Sequence, residues 1–361
     1  MASFRPRVSV VAWAMVCTSA LVACDGSPSS DDADGSTTLP DGKVLPPAPK
    51  TGETLTHEFP AFVAAPGEEI PWECQSWTLH NDKPLYVTSV SQENDGAWHH
   101  SNWFFVPEDT FDGPDGTWSC SSREFNEVAA GLAGGVLFAQ STQSLTDEQA
   151  FHEGKAIELP AHARIVGNAH ILNATAKSIE TAIRFTIKTA RAEDVDTKLY
   201  PVSYTNIALD LEPNAESRFV MTCNIGDAFE RKFNRAPDFH IEYVLPHYHA
   251  LGNYFRIEAL GGDKGDRVVF ETKATVGDPV GKTLDPAFDM AGATDLRITC
   301  GYDNPRSSRV GYGIGDQEMC VFLAYIDAPI KIAGTAIMNE PLGPNDDGIF
   351  MNNSPCGGIS F

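Results

Sequence analysis

Positive charge is scarce in this chain. Its 361 residues hold 26 Lys and Arg against 49 Asp and Glu, a formal net charge of −23. Neutralising phosphates needs a basic face, so nucleic-acid binding is excluded, as is a polybasic grip on anionic lipid. Long apolar runs are missing as well. Beyond the N-terminus nothing approaches the roughly 20 residues of a membrane-spanning helix. No C-x-x-C pair occurs, so neither a zinc ribbon nor a thioredoxin-like redox site is supported. Long helical periodicity is also scarce. What remains is ordinary globular composition, 42% hydrophobic and 21% charged, in a length that predicts two domains.

The first residues read as an export signal. Arg5 and Arg7 precede the apolar stretch 8–23, and Leu21-Val22-Ala23-Cys24 resembles the lipobox of bacterial lipoproteins. The alternatives are a plain secretory signal with an incidental cysteine, or an uncleaved anchor. On the lipobox reading, residues 1–23 are removed and Cys24 carries the lipid that tethers the protein to a membrane face of the cell envelope. Residues 24–53, rich in Ser, Asp, Gly and Pro, cannot bury enough apolar surface to offset their ordering entropy, and are expected to be a flexible tether. With Cys17 and Cys24 set aside, six cysteines remain: Cys74, Cys120, Cys223, Cys300, Cys320 and Cys356. An even set in an exported chain implies disulfides, with the pairing left open by arithmetic.

The body reads as all-β. Period-two segments rich in Val, Ile, Phe and Tyr recur at 85–90, 103–106, 135–139, 163–172, 181–188, 219–223, 239–245, 254–260, 267–272, 296–300 and 319–326, with turn residues between them. Many short strands of this kind predict consecutive β-sandwich, jelly-roll-like domains. A join near residues 192–202 would place one domain at 54–195 and the other at 196–361.

Histidines carry the chemistry. His247 and His249 continue the parity of Phe239, Ile241, Tyr243 and Leu245, so both rings are expected on the face that the apolar residues turn inward. From spacing alone, a metal pair and two histidines facing water at a strand end are equally good readings. His99 and His100 are adjacent, and neighbours in a strand face opposite ways, so they could share an ion only near a strand end or twist. His170 and Met319 alone would be ordinary strand residues. His240 has the parity opposite to His247 and is expected to point away from it. His57, His80, His152 and His162 fit no motif.

In order along the chain these weak signals read Trp98-His99-His100, Gly167-Asn168-Ala169-His170, His247-Tyr248-His249 and Gly315-Asp316-Gln317-Glu318-Met319-Cys320. This series resembles the copper type II, ascorbate-dependent monooxygenases, the family of peptidylglycine α-hydroxylating monooxygenase and dopamine β-monooxygenase, over essentially the whole of residues 54–361. The resemblance implies two β-sandwich domains flanking a cleft, with one copper ion in each. His99, His100 and His170 would hold the first. His247, His249 and Met319 would hold the second, where O2 is used; a soft thioether favours Cu(I). It further implies hydroxylation of a C–H bond, with electrons from ascorbate or another one-electron reductant. The disulfides it implies are Cys74–Cys120, Cys223–Cys356 and Cys300–Cys320.

The departures bear on substrate. Peptide-amidating members place an Arg two residues before the H-x-H, an Asn after the Met-Cys pair and a Tyr two further on; here these positions are Leu245, Val321 and Leu323. Without such donors a buried carboxylate is costly. Leu245, Val321 and Leu323 are therefore expected to line a pocket for a small, neutral or apolar molecule. Asn168 stands where those members have Gln. Expected partners are the substrate, O2 and a reductant, with membrane contact only through the lipid. A different class of reading is a non-catalytic lipoprotein that binds copper for storage, delivery or electron transfer. A zinc-binding surface protein is disfavoured by Met319, because thioether is a poor zinc ligand.

Overall fold

Strands dominate because the sequence alternates β-branched and aromatic residues between Gly, Pro, Asn and Asp punctuation. The computed structural model describes residues 52–360 apart from 275, 314 and 315, together with two short strands nearer the N-terminus. The expected signal 1–23 and the lipid site Cys24 lie outside the described residues, as does most of the expected tether. Within the tether, Thr37–Thr38 pairs antiparallel with Val44–Leu45. That segment belongs to a unit ending at residue 46, separate from the unit formed by residues 47–361. Among the described residues no helix is long and apolar enough to cross a membrane.

In the larger unit, the all-β expectation holds. A five-stranded antiparallel sheet runs in the order Gly116–Ser119, Glu69–Thr78, Ala163–Leu172, Trp98–Pro107, Gly135–Ala139. A second, branched sheet draws strands from both halves of the sequence. Its pivot is Thr197–Asn206. This strand pairs in parallel with Lys155–Leu159 of the first half and with Ile332–Ala336 of the second, and antiparallel with Val321–Ile326 of the second. The expected boundary at 195/196 therefore falls at the start of a strand that ties both halves into one ladder.

The apolar cores follow the same plan. One lies wholly among residues 202–336. Another gathers Val87, Phe138, Ile165 and Phe185 of the first half, but also takes Tyr243, Leu245 and Tyr325 of the second. Tyr325 Oη donates to the Val136 carbonyl at 2.8 Å, and Thr142 Oγ1 to the Tyr248 carbonyl at 2.6 Å. The two halves thus share apolar burial and polar ties. The disulfides are Cys74–Cys120, Cys223–Cys356 and Cys300–Cys320, the three expected pairs. Such bonds persist in oxidising compartments, which agrees with export.

Candidate metal centre

Each histidine of interest sits at a strand irregularity or at or just past a strand end. Between Trp98–Pro107 and Ala163–Leu172 the register runs His170 opposite His100, then Ile171 opposite Trp98. His99 is the extra residue of a β-bulge. A bulge re-aims one side chain, and this one lets two adjacent rings face the same region. The ring centroids of His99 and His100 are 5.5 Å apart, and those of His100 and His170 are 5.0 Å apart. His247 ends the strand His240–His247, and His249 follows in the turn.

The two groups of histidines are not separate. His100 lies 5.2 Å from His247 and 5.0 Å from His249, as near as it lies to His170. His99 is 5.3 Å from His249. All five rings are buried and form a single cluster spanning both halves of the chain. The expected division into one triad per domain is thus not the arrangement in this structure. The bulged start of Trp98–Pro107, in the five-stranded sheet, meets the end of His240–His247, in the branched sheet. Ring nitrogens of His100, His247 and His249 lie within 4.8 Å of one another.

Burial and the proximity of like rings keep the cluster neutral. His99 is pushed down to about 3, first by burial and then by His170 and His249. His247 is also pushed down to about 3 and His249 to about 4, both chiefly by burial. His100 is driven well below the usual imidazole range, and His170 is lowered by burial although Glu69 opposes the shift. Neutral imidazole is the metal-binding form.

The fit to a metal can be judged from the hydrogen bonds. His99 Nε2, His100 Nδ1, His249 Nε2 and both ring nitrogens of His247 are buried without a partner of ordinary geometry. A buried polar atom left unpaired costs about 1–3 kcal/mol, so this many in one place is a large expense for a fold to carry without a ligand. Imidazole nitrogens suit copper in both oxidation states. The residues present fit the metal that the resemblance implies.

Met319 lies in the loop before the strand Val321–Ile326 and, with His247, lines a cavity of about 650 Å³. The loop is held on several sides. Cys320 is bonded to Cys300, and Tyr302 Oη donates to the Met319 carbonyl at 2.5 Å. Glu318, a buried carboxyl, accepts from the backbone N–H of His249 at 2.8 Å and of Leu251 at 2.7 Å. Burial raises its pKa to about 7 against the pull of those N–H groups. Glu318 thus clasps the turn after the H-x-H to the methionine loop.

The cavity wall includes Val321 and Leu323, as expected for a substrate pocket. Leu245 is a correction. It is 2% exposed, packs in the core with Tyr243 and Tyr325, and does not line this cavity. Its strand is covered on both faces, so inward parity did not single out the cavity side. At the rim, the helix Glu127–Ala133 presents Val128 and Leu132, which are 73% and 52% exposed. Sequence reasoning missed the polar groups of the wall. Glu127 accepts from Asn102 Nδ2 at 2.8 Å, and burial raises its pKa against the opposing bonds from Asn102 and Asn168. Tyr312 is pushed up to about 12 by burial and then by Glu127. Lys331 Nζ donates to the Gly134 carbonyl and is lowered by burial. No motif marks these residues, because helix, loop and strand reach the wall from distant parts of the chain.

The remaining histidines lie apart. His240 is half-exposed, with Nδ1 2.9 Å from Asp327 Oδ2, on the side its parity predicts. His57 stacks on Trp77 at 4.5 Å, and His152 Nδ1 is 2.7 Å from Glu242. His80 and His162 occupy left-handed turn positions.

No family model matches the chain, and no curated protein matches it. Among solved structures, the major capsid protein P2 from bacteriophage PM2 is similar at 9% identity, with a TM-score of 0.28, covering 76% of this chain and 97% of that one. A Parabacteroides distasonis protein, provisionally described as secreted, is 9% identical with a TM-score of 0.20 and covers 81% and 92% of the two chains. The PBSX exported protein XepA is 8% identical with a TM-score of 0.20, covering 82% and 95%.

Proposed function

We propose that this chain is an exported copper-dependent monooxygenase, anchored through Cys24, that hydroxylates a C–H bond of a mostly apolar molecule. One observation carries the reading: the buried imidazole of His247, with both nitrogens unpartnered in ordinary geometry, shares the wall of a large, mostly apolar cavity with Met319. The donor set is drawn from the cluster of His99, His100, His170, His247 and His249, with Met319 on the same cavity wall as His247. Copper bound there supplies O2 activation and one-electron transfer, with electrons from ascorbate or a similar reductant.

The chain's own residues do the rest. Val321 and Leu323 exclude water from the space beside Met319 and His247. A volume of about 650 Å³ suits a drug-sized molecule and exceeds the needs of a very small one. Exposed Val128 and Leu132 offer an apolar entrance. Glu127, held by Asn102, is placed to accept one hydrogen bond from the substrate and so fix which C–H bond faces Met319. Glu318 and the Cys300–Cys320 bond keep the methionine loop in place.

The test is O2 uptake by the copper-loaded protein with ascorbate and a panel of apolar substrates, with products analysed by mass spectrometry under isotopically labelled O2. Incorporation of one labelled oxygen atom, abolished by Met319→Ile, is the expected result. Tight copper binding with no coupled product from any substrate would instead indicate a copper-binding or electron-transfer lipoprotein.

A further inference from the structure

We infer that the metal centre is built by His100, His247 and His249, one ligand from the first half of the chain and two from the second, and that His170 with Glu69 is a positioning pair for His100. This rests on the reading that the histidine cluster holds copper. It departs from the grouping that the sequence resemblance implies, in which His170 is a ligand beside His99 and His100.

A proton inventory leads to it. A neutral imidazole carries one N–H and one lone pair. His170 Nε2 lies 2.7 Å from Glu69 Oε1. A carboxylate only accepts, so the proton of His170 sits on Nε2 and its lone pair on Nδ1. That Nδ1 is 3.2 Å from His100 Nε2, which must therefore donate. His100 is left with its lone pair on Nδ1, buried and unpartnered. His170 has no free nitrogen in this arrangement: one is given to the carboxylate, the other to His100.

The same bookkeeping applies to the other rings. His249 Nδ1 donates to the Gln317 carbonyl at 2.9 Å, leaving the Nε2 lone pair free. The Gln140 backbone carbonyl draws on the N–H of His247, though neither ring nitrogen has a partner of ordinary geometry, and the ring offers a lone pair in either tautomer. At His99 the Gln143 amide nitrogen lies 3.1 Å from Nδ1. In that amide orientation Nδ1 accepts, so His99 turns an N–H towards the cluster and has no lone pair to give. The rings with free lone pairs are thus His100, His247 and His249. These are also the rings whose nitrogens lie within 4.8 Å of one another. Free lone pairs and nitrogen spacing thus coincide in the same trio. Nitrogens bonded to a shared ion at about 2.0–2.1 Å would need an inward movement of about 1 Å from that spacing.

A carboxylate–histidine pair behind a ligand fixes its tautomer and raises its basicity, and losing such a partner typically costs about 10- to 100-fold in metal affinity. The probe is Cu(I) titrated against a competing chelator, with X-ray absorption counting nitrogen and sulfur neighbours of the bound ion. Wild type is expected to show three imidazole nitrogens. His170→Asn and Glu69→Gln should each keep that count while weakening binding by about 10- to 100-fold. His247→Asn should lower the count to two. Glu69 is partly exposed, so its variant remains informative should the His170 variant fail to fold. A lower nitrogen count in His170→Asn, or unchanged affinity in Glu69→Gln, overturns the assignment while leaving the copper reading intact. Failure of the wild type to bind Cu(I) overturns the copper reading itself.

Discussion

Acidifying the metal-free protein from pH 7 to pH 5 should destabilise it by about 4 kcal/mol. The perturbation acts on the histidine cluster. In the unfolded chain an imidazole titrates near 6.5, whereas His99 and His247 are held at about 3 and His249 at about 4 in the fold. Between those values the unfolded state binds protons that the folded state refuses. Stability is therefore full above pH 6.5 and falls as the pH drops towards the folded-state values. At pH 5 each of the three rings accounts for a loss of about 2 kcal/mol relative to pH 7, about 6 kcal/mol together. Glu318 works the other way. Its pKa is raised from 4.5 to about 7, so the fold takes up this proton first and regains about 2 kcal/mol over the same interval. His100 and His170, also lowered, deepen the loss; Glu127 and Asp147, raised by burial, soften it. The net change is a large fraction of a typical stability of about 5–15 kcal/mol. Urea unfolding in the presence of a chelator at pH 7, 6 and 5, followed by tryptophan fluorescence, measures it directly. His249→Leu should remove about 2 kcal/mol of the pH-dependent loss. A stability that is level or rises on acidification would refute the reasoning.

Three further outcomes follow from the packing around the site. Leu245→Ala should cost about 2–5 kcal/mol in urea unfolding and leave the substrate range unchanged, because this side chain fills core and not cavity. Leu323→Trp should narrow the cavity, raising KM for bulky substrates more than for small ones in steady-state assays. Replacing both Cys300 and Cys320 by Ser should lower stability by about 3 kcal/mol in the same unfolding assay, since the bond closes a short loop. It should also weaken any Cu–S signal in X-ray absorption, because the methionine loop loses one of its fixings.

Much of the fold was legible because strands announce themselves by alternation. The segments 135–139, 163–172 and 267–272 match strands residue for residue. The inward placement of His247 and His249 was also legible, from the parity of Ile241 and Tyr243 before them. Parity failed at Leu245 for a physical reason. Glu242, Val244 and Pro246, on the opposite parity, are buried too, so the strand has two inner faces and alternation cannot choose between them. The meeting of all five rings was beyond reach. It depends on a bulge at His99 and on which strands pair across the chain, and neither leaves a local mark. Glu69, Gln143 and Gln317 were equally silent, since each reaches its histidine through tertiary placement and not through spacing. The disulfide pairing came from likeness to a family and not from cysteine counting.

The strand Thr197–Asn206 has a consequence for how molecules come and go. A two-lobed protein with a free hinge can admit a guest by swinging its lobes apart. Here that swing would tear a continuous ladder along with the Tyr325 and Thr142 ties. Traffic must pass through local gaps, of which the apolar lip at Val128 and Leu132 is one. For the same reason neither half should survive excision as an autonomous fragment, and calorimetry should record one melting event for the pair.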